Sequence, residues 1–101
     1  MTYDIIWEFQ VPERRKAEFE AAYGRDGVWA RLFAQAEGFV EVELLCCTER
    51  DDRYLTIDRW SSRAAFDAFQ ARFGADYKAM DERLEGLTAT ETRIGAFTTP
   101  G

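Results

Sequence analysis

The order of strand-like and helix-like segments is the feature that most constrains the fold of this 101-residue chain. Apolar and polar residues alternate over residues 3–11, 39–48, 53–60 and 88–97, which is the period of a β-strand. Apolar residues recur at helical spacing between the first two of these segments and again between the last two. The order β-α(α)-β-β-α(α)-β predicts a single α+β domain over residues 1–101. Its expected fold is ferredoxin-like βαββαβ, with a four-stranded antiparallel sheet.

Residues that start or stop helices support this division. Pro12 ends the first strand and opens a helix over residues 13–23, and Asp26 is expected to cap a second helix. Ser61 or Ser62 is expected to cap the last helical region, and Gly74 interrupts its apolar pattern. Each helical region is therefore expected to consist of two parts.

Large apolar residues are expected on both faces of the second strand. One face holds Val40, Val42, Leu44 and Cys46, and the other mixes Phe39, Glu41, Glu43, Leu45 and Cys47. Helices cover only one face of a sheet in this fold, and a face open to water should alternate more cleanly. The pattern predicts a homodimer in which two copies cover each other's open faces. The alternative is that some of these residues are simply exposed.

Charge and cysteine content argue against several classes of partner. The formal net charge is −6, with 19 acidic and 13 basic residues, which disfavours binding to nucleic acid. No apolar run approaches the length of a membrane span, and no export signal is recognisable. Cys46 and Cys47 are adjacent and are expected to be free thiols that serve as small strand hydrophobes, which favours the cytoplasm. The chain has no histidine, so no metal site is expected.

One stretch resembles a known family. Residues 54–60 read Tyr-Leu-Thr-Ile-Asp-Arg-Trp, and residues 62–66 read Ser-Arg-Ala-Ala-Phe. This is similar to the antibiotic biosynthesis monooxygenase pattern, in which a strand ends in an acid, one residue and Trp before a helix of the form Ser-x-x-Ala-Phe. The segment from Ile6 through Phe19 and the Gly38-Phe39 pair also fit, so the resemblance covers residues 3–98. It implies a dimeric α/β barrel with a pocket between helices and sheet in each protomer.

Members of that family differ in their chemistry. Some form quinones from aromatic polyketides without flavin, haem or metal, others degrade haem with a Trp, an Asn and a His, and others have no known activity. Here Phe69 stands where the family often has His, and Trp7 falls near the position of the Asn. Of the three residues used by the haem-degrading members, only the Trp has a counterpart here, which is Trp60. The resemblance therefore disfavours haem degradation and implies that no cofactor is needed.

Oxidation without a cofactor requires a proton acceptor, hydrogen-bond donors and a dry aromatic slot. The catalytic candidates are Asp58, Trp60 and Tyr77. Strand alternation places Asp58 on the same side as Tyr54, Thr56 and Trp60, and burial there would raise its pKa; a salt bridge to an arginine is the alternative. The candidate substrate-binding residues are Trp7, Phe9, Trp29, Phe33, Tyr54, Phe66, Phe69 and Phe73, and the alternative for all of them is ordinary core packing.

Three functions remain open on these grounds. The first is a cofactor-independent monooxygenase that oxidises a small phenol, quinol or polyketide-like aromatic with O₂. The second is a non-enzymatic protein that binds or senses a small ligand on the same dimeric fold. The third is a purely structural dimer, which predicts a filled interior with no cavity near Trp60. A cavity lined jointly by Trp7, Trp29, Trp60 and Asp58 would favour the first two.

Overall fold

A computed structural model describes residues 1–100 and has the predicted element order. The strands are β1 (Tyr3–Gln10), β2 (Phe39–Cys46), β3 (Arg53–Trp60) and β4 (Thr90–Phe97). The helices are α1 (Lys16–Tyr23), which follows a 3₁₀ turn over Glu13–Arg15, then α2 (Val28–Phe33) and α3 (Arg63–Arg83). The strands form one antiparallel sheet in the order β2-β3-β1-β4. The ferredoxin-like α+β fold is therefore confirmed.

Some of the predicted helix boundaries are confirmed and others are not. Ser62 is the N-cap of α3, and its hydroxyl accepts a hydrogen bond from the Ala65 N–H at 3.1 Å, as expected of a serine cap. Asp26 does not cap α2, because Gly27 occupies the N-cap position and no side chain bonds there. The interruption predicted at Gly74 takes the form of a kink at Phe73, where φ is −113° and ψ is 15°. The two parts of α3 therefore form one bent helix.

A β-bulge at Val40 corrects the predicted faces of β2. Phe39 pairs with Trp60 and Glu41 pairs with Arg59, so Val40 is an extra residue without a partner. The Phe39 ring lies on the helix side of the sheet, 5.4 Å from the Trp60 ring between centroids. Val40 is 49% exposed. Simple alternation predicts that Phe39 and Val42 lie on opposite faces of the sheet. This prediction was wrong, because one added residue moves every later side chain to the other face.

The core lies between the sheet and the helices and contains two aromatic clusters. One cluster joins β1, α1 and β3 through Phe9, Phe19, Tyr23 and Tyr54. The other surrounds the end of β3 and the start of α3 and contains Phe33, Phe39, Trp60, Phe66, Phe69 and Phe73. Trp29 on α2 contacts Tyr23 of the first cluster and Phe33 of the second. The space between the two clusters therefore lies beneath α2.

The sheet face that the helices leave uncovered mixes apolar residues with ion pairs. Ile6 lies opposite Ile57, and Leu45 lies opposite Leu55. Arg59 lies beside them and forms salt bridges to three carboxylates, those of Asp4, Glu41 and Glu43. Within residues 1–100, no helix combines the length and the apolar character needed to cross a membrane.

Candidate functional site

A cavity of about 200 Å³ lies between the sheet and helices α1, α2 and α3. Its walls are mainly aromatic and consist of Trp7, Phe9, Tyr23, Trp29, Phe33 and Tyr77. The polar side chains that reach it are Thr56, Asp58, Asp81 and Glu91. Flat aromatic walls with a few polar groups are typical of sites for small ring-containing ligands.

Asp58 is the carboxyl group at the base of this cavity. In the sheet ladders it lies directly opposite Ile5 on β1 and Val42 on β2, so both neighbours on its face are aliphatic. Its carboxyl forms no hydrogen bond or salt bridge with any part of the chain that the structure describes. Burial without compensation raises the pKa of Asp58 to about 7. The group can therefore accept or release a proton near neutral pH.

Asp58 forms no salt bridge to an arginine of its own sheet. The arginine next to it, Arg59, points to the opposite face because successive side chains of a strand alternate. Arg59 binds the carboxylates of Glu41 and Glu43 there, at 3.2 and 2.7 Å. The cross-sheet ion pairs therefore form on the open face and leave the carboxyl on the cavity face unpaired.

Tyr77 brings a hydroxyl to the same cavity from α3. Its ring lies 4.9 Å from the Trp29 ring between centroids. Burial raises the pKa of Tyr77 to about 12, and the nearby carboxyl of Asp58 adds to this effect, while the Arg93 guanidinium opposes it. The hydroxyl therefore stays protonated at neutral pH and can donate a hydrogen bond to a ligand.

Trp29 offers a second donor. The side chain is 6% exposed, and its buried Nε1 has no hydrogen-bond partner. The Tyr23 hydroxyl lies near the indole, but no hydrogen bond of ordinary geometry joins them. A buried N–H without a partner is costly, so a ligand acceptor in the cavity would be bound favourably there.

A second chamber of about 360 Å³ adjoins the first. The two share Trp7, Phe33, Asp58 and Tyr77 as a common wall. The second chamber is more polar, and the side chains that line it from α3 and β4 include Arg63, Asp67, Gln70 and Arg93. Asp58 and Tyr77 are therefore accessible from both sides.

The structure brings most of the predicted site residues together. Asp58 and Tyr77 lie in the first chamber with four of the predicted binding residues, namely Trp7, Phe9, Trp29 and Phe33. Phe66 lines the second chamber only. The other predicted residues, Tyr54, Trp60, Phe69 and Phe73, line neither chamber.

Trp60 lies in the core and not in the cavity, although it shares the face of Asp58. It is fully buried beneath the start of α3, with ring centroids 5.0 Å from Phe69 and 5.6 Å from Phe33. Phe73 stacks on Phe69 within the same cluster. Tyr54 is occupied elsewhere, because its hydroxyl donates to the Glu20 carboxylate. These side chains contribute packing and do not contact the cavity.

Sequence reasoning missed several polar or aromatic lining residues, among them Asp81, Glu91, Arg93 and Tyr23. Asp81 lies one helical turn after Tyr77, so their spacing could have identified it. Glu91 and Arg93 alternate on β4, where they lie opposite Phe9 and Trp7. Tyr23, at the end of α1, was not among the predicted site residues, although it lines the first chamber. Across the described residues 1–100, no group of three or more histidine, cysteine or carboxylate side chains could hold a metal ion.

The fold and this cavity define a ferredoxin-like domain with an internal aromatic site. A family model described as antibiotic biosynthesis monooxygenase matches residues 2–83. The chain belongs to the antibiotic biosynthesis monooxygenase family. Among curated proteins, none matches the sequence.

Solved structures of related proteins agree with this assignment. A variant of SnoaB, a cofactor-independent oxygenase from Streptomyces nogalater, is 28% identical with a TM-score of 0.74, over 99% of this chain and 94% of SnoaB. A putative antibiotic biosynthesis monooxygenase from Bordetella bronchiseptica is 20% identical with a TM-score of 0.73, over 98% of this chain and 97% of that one. The second comparison shows the shared fold alone.

Proposed function

We propose that this protein is a cofactor-independent monooxygenase that oxidises a small, electron-rich aromatic substrate with O₂. The substrate class is a phenol, quinol or polyketide-like ring. The observation that carries the proposal is the unpaired Asp58 carboxyl, with a pKa of about 7, at the base of an aromatic cavity. Family membership and the similarity to SnoaB support it.

The first step is removal of a proton from the substrate. The Asp58 carboxylate accepts it, which leaves an aromatic anion between the rings that line the cavity. The Tyr77 hydroxyl donates a hydrogen bond to the oxygen on which the negative charge develops, and the Trp29 N–H offers a second donor. These donors favour the anion without neutralising it.

Oxygen then reacts with the anion. One electron passes from the anion to O₂, and the two radicals combine into a peroxide on the ring carbon. Protonated Asp58 returns its proton to the outer oxygen of the peroxide anion. The C–H bond at the same carbon and the O–O bond then break, so that a quinone-type carbonyl forms and the C–H proton leaves with the hydroxide as water. One oxygen atom enters the product, the other leaves as water, and the substrate supplies all the electrons.

Oxygen uptake with anthrone- and naphthol-type compounds tests this function. The wild-type protein should consume O₂ faster than the uncatalysed reaction, and Asp58→Asn should lower kcat/KM by about 100-fold or more. Asp76→Asn is a matched control, because Asp76 is exposed on α3 and lines neither chamber. No uptake above background across a broad panel would contradict the proposal. A compound that binds saturably and is recovered unchanged would support the alternative of a binding or sensing protein.

We also propose that the protein forms a homodimer through its open sheet face and acts in the cytoplasm. Leu45 and Phe97 are exposed on or beside that face at 41% and 49%, and covering them would remove apolar surface from water. Both cysteines are free, which suits a reducing compartment.

A further inference from the structure

The two chambers differ in the charged side chains that line them. Asp81 and Glu91 line the first chamber, and neither lines the second. Arg63 and Arg93 line the second chamber, and neither lines the first. Asp58 and Asp67 also line the second chamber, so it holds side chains of both charges, whereas the charged side chains that line the first chamber are all carboxylates.

A β-bulge follows Arg93 on β4. Trp7 pairs with Arg93 and Ile6 pairs with Gly95, so Ile94 is an extra residue between them. Directly opposed residues of antiparallel strands share a face, and Arg93 therefore faces the cavity side with Trp7. Arg93 lies beyond residues 2–83, the part of the chain that the family model matches.

Arg93 also has no carboxylate partner in the described part of the chain, residues 1–100. The other arginine of the chamber, Arg63, lies 3.9 Å from Asp67. Arg93 lines this chamber together with Tyr77, which also forms part of the wall between the two chambers. An uncommitted cation thus lies beside the proposed reaction site.

We propose that the second chamber binds a carboxylate group of the substrate, and that the substrate is accordingly a hydroxylated aromatic acid. This inference rests on the proposed function of the first chamber. A guanidinium matches the planar carboxylate with two parallel hydrogen bonds, and the Gln70 amide can donate another. Among the residues that the structure describes, the first chamber offers no arginine or lysine beside Asp81 and Glu91, which disfavours the reverse orientation. With the acid group on Arg93, the ring lies along the wall formed by Trp7 and Phe33.

Calorimetric titration with two matched compounds tests the subsite. The probes are 2-naphthol and 6-hydroxy-2-naphthoate, which differ by one carboxylate. The wild-type protein should bind the naphthoate about tenfold more tightly, since charge-assisted hydrogen bonds at a partly exposed site have effects of this size. This preference should diminish as ionic strength rises.

Arg93→Gln should abolish the preference while leaving the affinity for 2-naphthol within about twofold, because only the carboxylate contact is lost. Arg93→Lys should retain part of the preference for the naphthoate, because the positive charge remains. Arg72→Gln is the matched control: the Arg72 guanidinium lies 5.0 Å from the Phe73 ring centroid, and Arg72 lines neither chamber. Circular dichroism checks that each variant folds.

Equal or weaker binding of the naphthoate by the wild-type protein would overturn the proposal, even if Arg93→Gln failed to fold. A full preference in folded Arg93→Gln would also overturn it. The failure of the proposed function gives a different result: a clear carboxylate preference without any oxygen uptake would retain the subsite and reject the oxygenase. Oxygen uptake on neutral substrates, together with no preference for the carboxylate in binding, would retain the oxygenase and reject the subsite.

Discussion

The rings of Trp29 and Tyr77 meet with centroids 4.9 Å apart and planes inclined by 51°. This contact joins α2 to α3 over the cavity and places two hydrogen-bond donors, the indole N–H and the phenol hydroxyl, in residues that line the same space. The carboxyl of Asp58 reaches that space from the sheet. A ring bound between helices and sheet can therefore contact a proton acceptor on one side and donors on the other.

Tyr77→Phe tests the role of the hydroxyl. The substitution keeps the ring contact with Trp29, so the fold should persist, while kcat for oxygen uptake should fall about tenfold because one donor to the developing anion is lost. Steady-state oxygen consumption and thermal unfolding measure the two effects.

The matched control is Tyr54→Phe, whose hydroxyl binds Glu20 outside the cavity. It should lower the free energy of unfolding by about 1 kcal/mol and leave kcat unchanged. Equal loss of kcat in both variants would contradict a specific role for Tyr77.

Asp58 should produce a pH dependence of activity. Its pKa of about 7 means that the reactive carboxylate is scarce below that pH, so kcat/KM should rise with pH and level off above about 7. The residual activity of Asp58→Asn should lack this titration. A wild-type profile that is flat between pH 5 and 8 would show that Asp58 is not the base.

Asp58 should make the folded state less stable as pH rises, whereas it makes the protein more active. Because the pKa of Asp58 is raised on folding, the folded state holds the proton more tightly than the unfolded chain does between about pH 4 and 7. The contribution of Asp58 to stability is therefore greatest below pH 4 and is lost as pH rises to about 7. The amount is roughly 2 kcal/mol after allowance for access of water to the cavity. Urea unfolding of the wild-type protein and Asp58→Asn across this range should show the difference.

Two tryptophans should respond differently to replacement by phenylalanine. Trp29→Phe removes the unpartnered N–H at the cavity, so a ligand with a carbonyl acceptor should bind about five- to tenfold more weakly. Trp60→Phe should lower the free energy of unfolding by about 2 kcal/mol through lost packing, with ligand affinity unchanged. Titration calorimetry and urea unfolding separate the two. Weaker binding in Trp60→Phe alone would show that the cavity extends to Trp60.

Ile57→Lys tests the proposed dimer. The side chain lies opposite Ile6 on β1 and Glu43 on β2, on the open sheet face. Because Glu43 already pairs with Arg59, an added charge buried there should weaken self-association by at least about 100-fold. Ala75→Lys on the exposed surface of α3 is the control for the added charge. Sedimentation should give a dimer for the wild-type protein and the control. A stable 11.7 kDa wild-type particle at micromolar concentration would reject the dimer.

The sequence by itself determined the elements and their order, together with the cap at Ser62. These features follow from local periodicity and from hydrogen bonds between near neighbours, which a single segment already contains. The shared face of Asp58 and Thr56 was predictable for the same reason, since β3 has no bulge. The class of site was predictable because the aromatic residues recur at helix and strand spacing.

Only the tertiary structure decided which of these residues reach the cavity. A bulge at Val40 places Phe39 on the core side of the sheet together with Val42. Another bulge at Ile94 keeps Arg93 and Ala96 on one face. In each case the register with the neighbouring strand decides which face a side chain occupies. Trp60 shares a face with Asp58 and is nevertheless sealed beneath α3, whereas Asp58 borders an open space. The raised pKa of Asp58 depends on Ile5 and Val42, which adjoin it only after three distant strands pair, because burial is a property of the assembled sheet.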